Sequence, residues 1–284
     1  MIRRANNKVV VCPLCDTELI TRDVFCFDGY RVITCSFCST RFCQPFINNA
    51  EVYNDSLIDV KRVYLENTSL EYKEIGKLRP YLTYEDKNIL DIGCATGSFL
   101  EKMMPANKVL GIEVSRSYEN ILKKKGIPYL VGNLDEILEK LPSNHYDLIT
   151  MFDVFEHLHD LNKILSLINK KLSRDGIFIN WTNNYDDCIS DFAEITYRLS
   201  GGRLKYFMHQ SFNRDGGHNY NFVKKSLDLL YKKHCFDVLE VIITDTPSIR
   251  LTKSIFFKVI LELFYKMNSI KGKGKIICYV SKKR

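Results

Sequence analysis

The stretch Asn88-Ile-Leu-Asp91-Ile-Gly93-Cys-Ala95-Thr-Gly97-Ser-Phe-Leu100 decides how this chain folds. A short apolar run ends in Asp91, small residues follow at 93, 95 and 97, and an amphipathic pattern begins at Ser98. That order predicts strand, tight loop and helix, with a backbone able to approach a ligand closely where a Cβ would interfere. In an open α/β sheet this turn lies at the carboxyl ends of the strands, where ligands bind.

Working outward, Lys108–Glu113 reads as the second strand, and its terminal acid falls twenty residues after Gly93. A carboxylate there is placed to accept hydrogen bonds from the ribose hydroxyls of a nucleoside. Gly93-x-x-x-Gly97 is not the G-x-G-x-x-G of dinucleotide binding, and position 98 is Ser, so the loop suits a smaller nucleoside cofactor than NAD. Further strands are predicted at Pro128–Val131, Asp147–Phe152, Gly176–Trp181, Asp237–Ile243 and Lys275–Ser281. Helices between them include Ser117–Lys125 and Asp160–Leu172. Seven strands alternating with helices imply a doubly wound, mostly parallel α/β sheet.

Ahead of this region the character changes. Of ten cysteines, six precede residue 44, and Cys12-Pro-Leu-Cys15 and Cys35-Ser-Phe-Cys38 form two C-x2-C pairs with nineteen residues between them. Four thiolates from two tight turns complete a closed tetrahedral site, so a structural Zn²⁺ is expected at Cys12, Cys15, Cys35 and Cys38. A piece this small buries little core, and the metal is expected to supply most of its folding energy. Cys26 and Cys43 read as packing residues, and Cys94 as a small filler. The divisions expected are a zinc-ribbon over 1–46, a linker and helix over 47–86 ending near Pro80, and a catalytic domain over 87–284. The helix would use Leu57, Val60, Tyr64, Leu70, Ile75, Leu78 and Leu82.

Charge is unevenly placed. Residues 250–284 hold ten bases against Glu262 alone, a local +9 in a chain whose total is +7, so the remainder sums to −2. Attraction to phosphates or anionic lipid would therefore come from the C-terminal tail. Ser254–Met267 is apolar except for Lys258, Glu262 and Lys266, a single polar stripe that predicts a helix buried against its own domain, with an interfacial role as the alternative. Met1–Lys8 is polar, no apolar run reaches membrane-spanning length, and the cysteines have metal spacing. A cytoplasmic setting is expected, with peripheral membrane contact through the basic tail as a further expectation.

The motifs together resemble class I S-adenosylmethionine-dependent methyltransferases, with their Rossmann-like seven-stranded sheet. ILDIGCATGSF (89–99) resembles the first motif and VLGIEVS (109–115) the second. VGNLDEI (131–137) resembles the third, YDLITMFDVFEHLHD (146–160) the fourth and KLSRDGIFINWTNN (171–184) the fifth-strand region. The resemblance implies that Asp91 and Gly93, with Ala95 and Gly97 in the same loop, hold the methionine end of the cofactor and Glu113 its ribose. Asn133 and Leu134 would flank the adenine, and Phe152 and Asp153 would close the methionine side. Two departures stand out. Ala95 replaces a customary glycine, which requires a negative φ there, and Asn133 replaces a customary aspartate, leaving its carbonyl to accept from the adenine amino group.

CPLC (12–15) with FDGYRVITCSFCSTRFCQPF (27–46) ahead of those motifs resembles bacterial methyltransferases with an N-terminal zinc-ribbon that modify saccharides or other small molecules. The implied acceptor is a small molecule, most naturally a hydroxyl of a nucleotide-linked or lipid-linked sugar. RNA bound by the ribbon and basic tail is the alternative. Tyr185–Asn221, rich in aromatics, Gly and His, is expected to lie over the acceptor as a lid. His157 and His218 are candidate bases. Asp153, Glu156 and His157, with His218, also resemble the divalent-metal site of some O-methyltransferases, which would suit Mg²⁺ or Mn²⁺. The competing view makes Glu156 and His157 a plain helix start.

Overall fold

The computed structural model describes residues 9–20, 24–27, 29–46, 76–82, 85–205, 208, 212, 217–246 and 254–284. The helix expected before Pro80 lies outside them, apart from a 3₁₀ turn at Gly76–Tyr81 with Pro80 inside it.

Residues 88–283 carry a seven-stranded sheet with helices on both sides. Its strands are β6 (Asn88–Ile92), β7 (Lys108–Glu113), β8 (Tyr129–Val131), β9 (Tyr146–Phe152), β10 (Leu172–Asn183), β12 (Phe236–Thr244) and β13 (Ile276–Lys283). The spatial order is β12-β13-β10-β9-β6-β7-β8. β6 pairs in parallel with β7 and β9, β9 with β10, and β7 with β8, whereas β13 runs antiparallel to both β10 and β12.

Adjacent residues explain why the sheet is buried on both faces. Leu90, Ile149, Phe178 and Tyr279 enter one apolar cluster, while their chain neighbours Ile89, Leu148, Ile179 and Val280 enter the other. Side chains alternate along a strand, so a near-continuous apolar run serves two layers of helices. Helix α4 (Leu161–Lys171) shows the complementary period: Leu161, Ile164, Leu165 and Ile168 are buried, and Asp160 caps its start by accepting from the Lys163 N–H at 2.9 Å. The other helices are α1 (Ser98–Met103), α2 (Glu119–Lys124), α3 (Leu134–Lys140), α5 (Cys188–Leu199), α6 (Lys224–Lys233) and α7 (Ile255–Lys271).

The N-terminal cysteine module contains β1 (Val9–Val11) paired with β2 (Glu18–Ile20), and β3 (Val24–Phe27), β4 (Tyr30–Thr34) and β5 (Arg41–Gln44) in an antiparallel sheet. Its apolar residues are not a separate core. Val10, Leu14, Leu19, Ile33 and Phe42 share one cluster with Met151, Phe155 and Leu161 of residues 88–283. The expectation of a module with little core of its own is thus modified, because residues 88–283 provide the other half.

Three further expectations change. Cys26 is exposed rather than packed, while Cys43 and Cys94 are buried. Helix α7 extends to Lys271, and it is not buried against its domain: Phe256, Val259, Leu263, Met267 and Ile270 are all exposed, Phe256 to 69%, and only Asn268 is fully buried. The helix carries apolar residues on two sides, and the body covers one. Among the described residues, the bases of the tail divide between two edges of the sheet. Ile276 lies opposite Asn183 at the carboxyl edge of the sheet, whereas Lys282 lies opposite Ile177 near the other edge. There Arg284 pairs with Asp237 and Lys283 donates to Asn144. Among the described residues no helix is long and apolar enough to cross a membrane.

Candidate active site

The glycine loop takes the shape its composition predicts. Gly93 has φ +76° and a Cβ there would stand 2.2 Å from Val154 Cγ2, while at Gly97 (φ +70°) it would meet Ile127 Cδ1 at 2.4 Å. Both positions therefore need glycine for conformation and for space. Ala95 departs from the expectation of a negative φ: it sits at +46°, in the left-handed region. Its N–H donates to Glu113 Oε2 at 2.8 Å, which holds this non-glycine residue in a costly conformation.

Glu113 ends β7 almost fully buried, and its Oε1 accepts from the N–H groups of Val114 (2.8 Å) and Ser115 (2.9 Å). Burial pushes its carboxyl above the usual range, against these three N–H donors. Three of about four acceptor positions are filled, leaving capacity for a hydroxyl. Asp91 is buried and accepts from the Thr150 hydroxyl at 2.7 Å. Asn133 Oδ1 caps α3 through the N–H groups of Asp135 (2.9 Å) and Glu136 (3.3 Å), so a bond to an adenine amino group would share that oxygen. Leu134 starts the same helix, and Phe152 packs edge-on to Phe99. Two buried strand-end carboxylates beside a glycine loop with close backbone suit a nucleoside cofactor.

Beside the loop, at the end of β9, Val154 touches Gly93 and a 3₁₀ turn covers Phe155–His157. Glu156 is buried and accepts from the Thr182 hydroxyl at 2.6 Å. Its Oε1 lies 3.9 Å from His218 Nε2, and the rings of His157 and His218 meet edge-on at 4.8 Å. Asn183 Nδ2 stands 3.1 Å from His218 Nδ1 and also donates to the Tyr220 carbonyl at 2.8 Å and to Asn221 Oδ1 at 2.7 Å. Burial dominates the acid–base balance. It pushes Glu156 up to about 7 and lowers His157, against hydrogen bonds to the main chain of Gly217 and Asp153. His218 falls well below the usual imidazole value through burial and the neighbouring His157 and Lys275.

Glu156, His157 and His218 bring one ligand atom each within 4.8 Å of one another. Asp153 does not join that cluster. It is exposed, in the left-handed region (φ +53°), with its N–H on the Trp181 carbonyl. Sequence reasoning missed Thr150, Val154 and Asn219. Asn219 donates its N–H to the Glu156 carbonyl (2.8 Å) and its Nδ2 to the His157 carbonyl (2.9 Å). Its place in an Asn219-Tyr220-Asn221 run was the available signal.

The four cysteines of the knuckles converge, with their thiol atoms within 4.8 Å of one another. Cys12 Sγ lies 3.7 Å from Cys38 Sγ and Cys15 Sγ 3.6 Å from Cys35 Sγ. A Zn–S bond of about 2.3 Å gives a tetrahedron edge of about 3.8 Å, so the separations fit a metal and exclude disulfides. The two turns repeat each other: Cys12 and Cys35 donate their N–H groups to Thr17 and Thr40, and Asp16 and Ser39 donate back to Cys12 and Cys35. Asp16 and Ser39 both have positive φ.

A model of the methyltransferase domain family matches residues 64–241. The chain belongs to this family. Its seven-stranded sheet is the Rossmann-like sheet of that fold. An S-adenosylmethionine-dependent methyltransferase from Archaeoglobus fulgidus is 19% identical with a TM-score of 0.54, covering 76% of this chain and 94% of that one. Geranyl diphosphate C-methyltransferase from Streptomyces coelicolor, solved with Mg²⁺, geranyl diphosphate and S-adenosyl-L-homocysteine, is 13% identical with a TM-score of 0.55, covering 84% and 89%. At such identities the likeness is one of fold. An uncharacterized Haemophilus influenzae protein is 32% identical over 125 residues, 40% of this chain; the chain spans about half (48%) of that relative's length.

Proposed function

We propose that this methyltransferase moves the methyl group of S-adenosylmethionine to a hydroxyl of a small acceptor, a sugar or sugar-linked metabolite, with His218 as base. The observation that carries the reading is the buried Glu156–His218 pair at the end of β9, beside the glycine loop. The loop of Asp91, Gly93, Ala95 and Gly97, closed by Phe152 and Asp153, takes the methionine end. Glu113 takes the ribose, and Asn133 and Leu134 flank the adenine.

The cofactor supplies an activated methyl group. The chain's residues must then align a hydroxyl and remove its proton. His218 is neutral at physiological pH because burial opposes its charge. It takes the hydroxyl proton on a ring nitrogen, and Glu156, whose Oε1 lies 3.9 Å from Nε2, stabilises the imidazolium in its ionised form. His157 is bracketed by main-chain partners at Gly217 and Asp153 and serves better as a strut than as the base.

A sugar acceptor rests on the saccharide-modifying resemblance. RNA is disfavoured, because the bases of the tail divide between opposite edges of the sheet. Cys12, Cys15, Cys35 and Cys38 hold one structural Zn²⁺ in a ribbon spanning 1–46, ahead of a linker over 47–86 and the catalytic domain over 87–284. A second reading places a divalent cation on Glu156, His157 and His218, a donor set that suits Mn²⁺ or Zn²⁺ better than Mg²⁺.

The test is a screen of nucleotide-linked and lipid-linked sugars for a one-methyl mass gain, followed by turnover in His218→Ala and His157→Ala. Loss of about 10²–10⁴-fold in kcat in His218→Ala, unaffected by EDTA, supports base catalysis. Wild-type kcat in that variant removes His218 from the chemistry, and EDTA-sensitive turnover favours the cation.

A further inference from the structure

The cysteine module does not stop at its own sheet. Its edge strand β5 pairs antiparallel with β11 (Tyr220–Asn221), a strand of the catalytic chain, with Phe42 opposite Tyr220 and Arg41 opposite Asn221. The Cys43 N–H donates to the Asn219 carbonyl at 3.0 Å, and the Thr40 hydroxyl to the Asn221 carbonyl at 3.3 Å. The Phe46 ring meets that of Tyr220 at 5.2 Å.

Both ends of this pairing lead to chemistry. On one side, the Cys35–Cys38 turn runs directly into β5, and its Cys35 N–H to Thr40 carbonyl bond (2.9 Å) fixes where β5 begins. On the other, β11 follows His218 with Asn219 alone between them, and Asn219 ties the segment to Glu156 and His157. The first cysteine turn is anchored separately: Asn162 Nδ2 donates to the Pro13 carbonyl at 2.8 Å, and Lys233 pairs with Asp16 at 2.7 Å. A third apolar cluster joins Phe25, Phe27, Tyr30 and Val32 of the module to Ala193, Met208 and Phe212 of the region expected to be a lid.

We propose that the four-cysteine module is a wall of the acceptor site, in which the bound ion fixes the register of β5 and β5 in turn positions His218 against Glu156. This rests on the reading of the cysteines as an ion site and of His218 as base. The module is then a positioning device rather than a binding domain for a separate partner. Strand addition supplies main-chain hydrogen bonds whose geometry is set by the added-to strand, so loosening β5 loosens β11. The loop carrying His218 gains from a rigid neighbour the accuracy that a free loop lacks.

Hydrogen exchange on the full chain tests this, zinc-loaded and chelator-stripped, with S-adenosylmethionine titrated calorimetrically into both. The peptide covering 217–222 should exchange at least about tenfold faster after stripping, while strands β6 and β9 keep their protection and cofactor affinity stays unchanged. Cys43→Pro removes the N–H that reaches Asn219 and no metal ligand. It should retain its zinc by elemental analysis, lose protection over 217–222, and shift the His218 imidazole resonances. Unchanged protection over 217–222 in zinc-stripped protein and in Cys43→Pro overturns the proposal, as does loss of protection spread evenly through β6 and β9. Absence of bound metal in gently purified protein refutes the ion reading alone, and Cys43→Pro then still decides whether β5 positions His218.

Discussion

Glu113 Oε2 accepts the main-chain N–H of Ala95 at 2.8 Å, so the carboxylate proposed to hold the ribose also closes the loop that faces it. The loop is therefore shaped before any nucleoside arrives, and the acid's two tasks are coupled. Part of the binding energy is not spent on ordering the loop, as preorganisation requires.

Ala95 is the place where this coupling shows in stability. Its φ of +46° costs a non-glycine residue about 1–2 kcal/mol. Ala95→Gly should keep or raise the melting temperature, the relief being partly offset by the entropy glycine adds to the unfolded chain. Ala95→Val should lower it clearly, since a branched Cβ fits this region worst. Equal melting curves for the two variants would show that residue 95 is not held left-handed.

Burial raises Glu156 to about 7 from an ordinary value near 4.5. A raised carboxyl contributes stability that is fully present below about pH 4.5 and is lost as pH rises through about 7. Glu156→Gln keeps the neutral shape at every pH. It should be more stable than the wild type at pH 8, and the advantage should fade as pH falls from 7 to 4.5. Denaturant unfolding at several pH values reads this directly, and a pH-independent difference would place the carboxylate in a solvated setting.

Helix α7 offers a sharp internal contrast. Leu263 is 60% exposed, whereas Asn268 is buried, accepting from the Cys188 N–H at 2.7 Å and donating to Asp245 Oδ1 at 2.9 Å. Leu263→Ser should change stability by less than about 0.5 kcal/mol, and Asn268→Ala should cost about 1–3 kcal/mol. A large loss in Leu263→Ser would mean that the outer stripe is covered in solution.

The fold was legible because its signals are local. The Asn88–Leu100 pattern fixes strand, loop and helix together, and β6 and β7 fall at the predicted limits. Cys12, Cys15, Cys35 and Cys38 were legible for the same reason, their pairs lying within single turns. What escaped depends on contacts between distant segments. Nothing near Cys43 announces that its N–H will meet Asn219, because a two-residue strand has no periodicity to read. Helix α7 misled because a single polar stripe describes a buried helix and a half-covered one equally well. The left-handed Ala95 arises from the Glu113 bond, which only the folded loop creates.

The central claim is that the loop from Asp91 to Gly97 and the acid at the end of β7 bind S-adenosylmethionine. Calorimetric titration of the cofactor into wild type, Glu113→Ala and His218→Ala tests it most directly. One site per chain is predicted, with affinity lowered by ~2–3 kcal/mol in Glu113→Ala, the scale of charge-assisted hydrogen bonds at a buried carboxylate, and unchanged in His218→Ala. Wild-type affinity in a folded Glu113→Ala would contradict the account.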